Sequence, residues 1–207
     1  MNSTIAFYEL NAAEISRHYE TVDFGRFVRD AVAAAGLKPG ARILDIGCGS
    51  GRDAALLLSL GCDVSGIDGS EGMIGEAERI HPELAGKLFR VVLPGRFPFP
   101  DYAFDAAFSW ATLMHLEIAD IGRVFGEINR ILKPGGAFAY SVSTARPGLD
   151  ARGEDERGRH FTSMPSHEWE RLHTAAGFVT NRVEESDDIS GRPGFHWIAF
   201  TALKRQP

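Results

Sequence analysis

Asp45, Gly47, Gly49 and Gly51 stand at alternate positions in the stretch Arg42-Ile-Leu-Asp-Ile-Gly-Cys-Gly-Ser-Gly-Arg-Asp-Ala54, a spacing suited to holding a ligand with the main chain. Glycine takes positive φ readily and lets a ligand approach the backbone closely. The unpaired N–H groups of a helix that starts after the turn then point at whatever sits there. About 20 residues beyond Gly47, Asp68 closes a second apolar run, where a carboxylate can accept from both hydroxyls of a ribose. His115, in Ser109-Trp-Ala-Thr-Leu-Met-His-Leu116, is the side chain here that titrates near neutrality, so it can take a proton from a hydroxyl or amine nucleophile. A helix-capping or core histidine is the alternative role.

Spacing narrows the ligand. A dinucleotide turn, G-x-G-x-x-G, needs a third glycine where this chain has Arg52, and the phosphate loop needs a Gly-Lys-Ser/Thr that is missing. Asp45 ends an apolar run, where a carboxylate is costly without a partner, and an acid beside the turn favours a cationic ligand over a pyrophosphate. Arg52 meets the positive end of the helix dipole, so it calls for an anion, either a ligand carboxylate or the neighbouring Asp53. No His, Cys, Asp or Glu set has metal-ligand spacing, and no Ser or Cys sits in a nucleophile motif, so no metal site is expected.

The elements that must position these residues follow from periodicity. Residues 7–19 read as a helix, and Phe24, Phe27, Val28, Ala31, Val32 and Ala35 mark the buried face of another. Strands are expected at 42–46, 62–68, 87–93, 104–109 and 137–142. Helices are expected after the glycine turn, over 71–79 with Ser70 as N-cap, over 120–132, and from Ser166, also read as a cap, to Ala176. Segments 178–183 and 195–203, joined across a Gly-Arg-Pro-Gly turn, read as an antiparallel pair at the sheet edge. Alternating strands and helices imply a parallel sheet covered on both faces, with the ligand beyond the carboxyl ends of its strands. The charged stretch 143–165 is either a solvated loop or a lid over that ligand.

With these residues in place, the chain resembles the class I S-adenosylmethionine-dependent methyltransferases, small-molecule type, from about Tyr8 to Leu203. The resemblance implies an α/β, Rossmann-like three-layer sandwich: a seven-stranded, mostly parallel sheet of order 3-2-1-4-5-7-6, last strand antiparallel, with an N-terminal helical extension. It implies S-adenosyl-L-methionine as cofactor. Asp45, Gly47, Gly49, Gly51 and Arg52 would form the first binding motif, Asp68 and Gly69 would meet the ribose, and Met73 would pack on the adenine or serve as core. Leu93, Ser109 and Trp110 would complete the cofactor wall. Phe7-Tyr-Glu-Leu-Asn-Ala12 and His18-Tyr-Glu20 are similar to an opening in which Tyr8 and Tyr19 touch the methionine moiety or substrate, and His115 and Tyr19 are the expected catalytic residues. The chain departs from the family after the third strand, where Val92-Leu-Pro-Gly-Arg96 lacks the acid that usually bonds the adenine amino group.

At 207 residues, 44% hydrophobic, the chain can build one core and not comfortably two, so a single domain is expected: residues 1–40 as a helical cap, 41–207 as the core, 143–165 as the lid insertion. A net charge of −6 argues against a broad nucleic-acid face. Cys48 and Cys62 imply no disulfide framework, and nothing at the N-terminus reads as a signal or span, so a cytoplasmic enzyme with a small-molecule substrate, monomeric or homodimeric, is expected. Arg146, Arg152, Arg157, Arg159 and His160 of the charged stretch could bind a substrate carboxylate or phosphate, though surface placement is the favoured reading. An NAD(P)-dependent oxidoreductase and a non-catalytic cofactor-binding module are the competing functions.

Overall fold

A computed structural model describes residues 3–188 and 191–206. Helices α1 (Ser3–Leu10), α2 (Ala12–Thr21) and α3 (Gly25–Ala34) precede β1 (Arg42–Ile46), α4 (Arg52–Ser59), β2 (Asp63–Asp68), α5 (Glu71–Ile80), β3 (Leu88–Arg90) and β4 (Phe104–Trp110). Then come α6 (Ile118–Ile131), β5 (Leu132–Ala145), α7 (Ser166–Ala175), β6 (Phe178–Asp187) and β7 (His196–Lys204). The sheet runs β3-β2-β1-β4-β5-β7-β6, with β7 antiparallel to both its neighbours and the other pairs parallel, as expected.

Two apolar layers cover the sheet because side chains alternate across each strand. Leu44 and Ile46 of β1 join Phe138 and Tyr140 of β5 under α6 and α7, where Phe125, Ile128 and Trp169 are buried. Ile43 faces the opposite way, with Phe108, Ala137 and Ala139, under Val28, Ala54, Leu57 and Ala77. The spacing of Ile121, Val124, Phe125, Ile128 and Ile131 that predicts α6 is its buried face.

Several boundaries move. The single helix expected over 7–19 is two, parted at Asn11, whose backbone leaves the helical region at φ −116°, ψ 15° and whose side chain donates to the Phe7 carbonyl at 2.8 Å. The third strand keeps three residues, since only Leu88–Arg90 pair with β2. Pro165 holds the N-cap position of α7, and Ser166 is its first residue. Ser70 does cap α5, accepting from the Met73 N–H at 3.1 Å.

Candidate active site

The turn after β1 is stitched to β2. The N–H groups of Gly47 and Cys48 both donate to the Ile67 carbonyl, at 2.8 and 3.1 Å. Gly47 has φ +72°, and a Cβ there would lie 2.1 Å from Thr112 Oγ1, so the first glycine admits a residue from the end of β4. Gly51, at φ +80°, instead packs toward Leu84, just beyond α5, whose Cδ1 would lie 2.6 Å from an added Cβ. Gly47→Ala is therefore expected to cost about 2–5 kcal/mol, from roughly 1–2 for the left-handed backbone and 1–3 for overpacking. Gly75→Ala, exposed in α5 with open space around it, should be neutral or stabilising. Urea midpoints compare the two; a wild-type midpoint for Gly47→Ala would refute the packing account.

Beside this turn lies a cavity of about 1140 Å³. Gly47, Gly49, Arg52, Asp68, Gly69, Met73, Leu93 and Trp110 line it, as do Tyr8, Tyr19 and His115. Three expected site residues do not. Asp45 is buried beneath the turn, Gly51 packs on its far side, and Ser109 is buried with its hydroxyl on the Ile46 carbonyl at 3.1 Å. Asp45 Oδ2 has no hydrogen-bond partner among the described residues, and burial, reinforced by Asp53, pushes its pKa well above the carboxylate range. Asp45 therefore acts from beneath the turn, without reaching the cavity itself.

Asp68 is held at the end of β2 by two backbone donors, Gly49 N–H to Oδ2 at 3.0 Å and Ser70 N–H to Oδ1 at 2.9 Å. Burial raises its pKa while these two bonds oppose the rise. Each oxygen keeps a lone pair for a further donor. Arg52 forms the ion pair with Asp53 that the sequence offers as one of two roles, with Nε and Nη2 at 2.8 and 3.0 Å from its oxygens. Its Nη1 donates to the carbonyls of Tyr19 and Val22, ending α2. Four of its five N–H groups are thereby engaged.

The helical cap is clamped to the core by two acids. Glu9 accepts from Ser70 Oγ at 2.7 Å and from the Gly72 N–H at 3.1 Å, sitting on the positive end of α5. Those bonds, the Ser70 one first, lower its pKa. Glu20 accepts from Ser50 Oγ at 2.6 Å and faces His81 Nε2 at 3.2 Å. Glu20 and the Arg52–Asp53 ion pair thus stand together at the start of α4.

At the other end of the cavity, His115 Nδ1 lies 2.7 Å from the His160 carbonyl. A carbonyl only accepts, so Nδ1 carries the proton and Nε2 keeps its lone pair. The Tyr8 hydroxyl is 3.3 Å from Nε2, and Tyr19 donates to the Tyr8 oxygen at 3.4 Å. Burial lowers the His115 pKa to about 4, keeping the ring neutral, and burial holds the Tyr19 phenol well above its ordinary range. The stretch after β5 covers this end: Arg146, Asp155, Arg157, Arg159 and Phe161 line the cavity. Surface placement of its arginines therefore holds for Arg152 but not for Arg146, whose side chain is 9% exposed against 77%. Among the described residues no His, Cys, Asp and Glu group is placed to hold a metal ion.

A cofactor of adenosine type fits what the residues present. Asp68 offers free lone pairs, Gly49 holds φ +54° between Met73 and Tyr19, and buried Met73 supplies an apolar wall. Glu9, Thr112, Phe161 and Arg192 were not expected at the site. Glu9 and Thr112 carry a local signal, the first in the opening motif and the second in the Ser109–Leu116 stretch.

Residues 17–182 match the model of a methyltransferase domain. The chain is 40% identical over 173 residues to a squalene methyltransferase of Botryococcus braunii, covering 76% of this chain and 44% of the relative. It is 37% identical over 108 residues to a sterol 24-C-methyltransferase of Gibberella zeae, covering 50% and 28%. The chain thus spans less than half the length of these two relatives. Among solved structures, the 1,6-didemethyltoxoflavin-N1-methyltransferase of Burkholderia thailandensis, with bound 1,6-didemethyltoxoflavin and S-adenosylhomocysteine, shares the fold at a TM-score of 0.75 and 23% identity. That match covers 97% of this chain and 88% of the other.

Proposed function

Because the chain belongs to the methyltransferase-domain family, we propose that it binds S-adenosyl-L-methionine and transfers its methyl group to a nucleophile on a small molecule. The observation that carries this reading is Asp68, fixed by the Gly49 and Ser70 N–H groups with lone pairs to spare beside the glycine turn. The cofactor would supply a methyl group on a sulfonium, already reactive toward a lone pair, so the protein's work is binding, alignment and exclusion of water. Orientation of that kind can contribute on the order of 7–11 kcal/mol.

Asp68 would hold the ribose hydroxyls, Gly47 would seat Thr112 beside the ligand, Gly49 would leave the backbone open to it, and Met73 and Leu93 would enclose the base. Tyr8 and Tyr19, carried on helices clamped by Glu9 and Glu20, would close the site from the N-terminal side. His115 and Tyr8 supply a route for a proton: a hydroxyl or amine donates to the Tyr8 oxygen, whose own proton passes to His115 Nε2. That pair favours an oxygen or nitrogen nucleophile that must lose a proton. The cavity, at about 1140 Å³, exceeds the usual range for one drug-sized ligand and leaves room for an acceptor. Among the described residues, no helix is long and apolar enough to cross a membrane.

Isothermal titration calorimetry with S-adenosylhomocysteine and, separately, NADPH tests the cofactor. One saturable site for the first and no heat for the second is expected. The opposite pattern would return the chain to the oxidoreductase reading.

A further inference from the structure

Resting on the methyl-transfer reading, we propose that the acceptor end of the cavity takes a substrate bearing a carboxylate or comparable oxyanion, and that Arg146 holds it. Arg146 follows directly on β5, which lies two strands, about 10 Å, from β1 across the sheet, and it stands seven residues beyond Ala139, the β5 residue level with Asp45. It therefore faces the acceptor's half of the cavity. Its guanidinium stands 3.7 Å over the Phe161 ring and 5.0 Å from the Phe195 ring, in the same cavity as His115. The His115 ring is itself 4.5 Å from Phe161, so one aromatic side chain touches both groups.

The cation is incompletely neutralised. Its hydrogen bond among the described residues runs from Nη2 to Asp155 Oδ2 at 3.3 Å, and its buried Nε has no partner there. Asp155 is committed elsewhere. Its Oδ2 also takes Arg159 Nε and Nη2 at 2.9 and 2.6 Å, and its Oδ1 takes the backbone N–H groups of Arg157 and Arg159. Two guanidiniums thus share one carboxylate. Arg192 adds a further cation to the cavity wall, and its own partner is Asp188, at 2.6 Å. A buried cation with an unmade N–H bond is costly, and ring faces offset only part of that. Burial, with Arg159 as the next cause, lowers the Arg146 pKa. An oxyanion of two or more oxygens would supply the missing acceptor and the missing charge together.

The probes are anilinonaphthalene sulfonate and phenylnaphthylamine, two fluorescent dyes with the same rings, of which only the first carries an anion. Each is titrated into the protein with and without S-adenosylhomocysteine. The sulfonate is expected to bind at least about tenfold more tightly than its neutral analogue. Arg146→Gln should abolish that preference and leave S-adenosylhomocysteine affinity intact, and Arg146→Lys should restore part of it. Equal binding of the two dyes, no saturable binding of the sulfonate, or an undiminished preference in folded Arg146→Gln would overturn the proposal. Failure of S-adenosylhomocysteine to bind would be read separately in the same samples, as a failure of the cofactor reading.

Discussion

Asp68→Ala is expected to weaken S-adenosylhomocysteine binding by about 10²–10⁴-fold while the protein still folds. Two of the carboxylate's lone pairs are spent on the Gly49 and Ser70 N–H groups, which aim it along the end of β2. The remaining two suit a pair of neighbouring hydroxyls, and each hydrogen bond to a charged group contributes roughly 1.5–3 kcal/mol. Losing both sums to roughly 3–6 kcal/mol, which gives that fold-change. The fold should survive because the two orphaned N–H groups border a cavity that water can enter, and because Gly47 and Cys48 keep the turn on Ile67. Asp68→Asn, which retains an acceptor oxygen, should fall between the two. Calorimetry with circular dichroism as the folding control decides it: an affinity within threefold of wild type would remove the ribose from Asp68.

His115→Phe is expected to lower kcat by about 10²–10⁴-fold with cofactor affinity preserved, the range for loss of a positioned base. Tyr8→Phe, which cuts the connection to Nε2, should reproduce much of that loss. The pH dependence carries a sharper signature. An ordinary histidine at 6.5 would be half protonated in mildly acidic buffer, whereas His115, lowered by burial to about 4, keeps its Nε2 lone pair down to that pH. The acid limb of kcat/KM should accordingly lie near 4. For stability the sign follows from proton uptake: between 6.5 and about 4 the unfolded chain protonates this residue and the folded one does not. Its contribution is therefore present above 6.5 and is lost as pH falls toward 4. An NMR titration of the His115 ring needs no substrate, and a midpoint near 6.5 would contradict a buried, Nδ1-protonated ring.

Contacts local in the chain are legible from the residues alone. The strand, glycine turn and helix at 42–59, the Ser70 cap, the apolar face of α6 and the antiparallel β6–β7 edge each follow from residues within one or two turns of one another. Asp68 belongs to the same class, because its place is set by where its own strand ends. The periodicity of two explains a different outcome at Ser109 and Trp110. One residue of offset sends the first into the sheet's packing and leaves the second on the cavity, and spacing alone does not say which face is which.

The order of elements and the glycine turn were thus written in the sequence, since backbone geometry and hydrophobic periodicity are encoded over short spans. Packing of the whole chain was needed to place Asp45 beneath the turn, to give Arg52 to Asp53 and the end of α2, and to bring Glu9 onto α5. Tyr8 and His115 meet across 107 positions. Arg146, read from its charged neighbours as a surface residue, is buried because the segment after β5 folds over an aromatic wall that includes Phe161. Charge and burial at such places depend on which distant side chains converge, and that is a property of the packed chain.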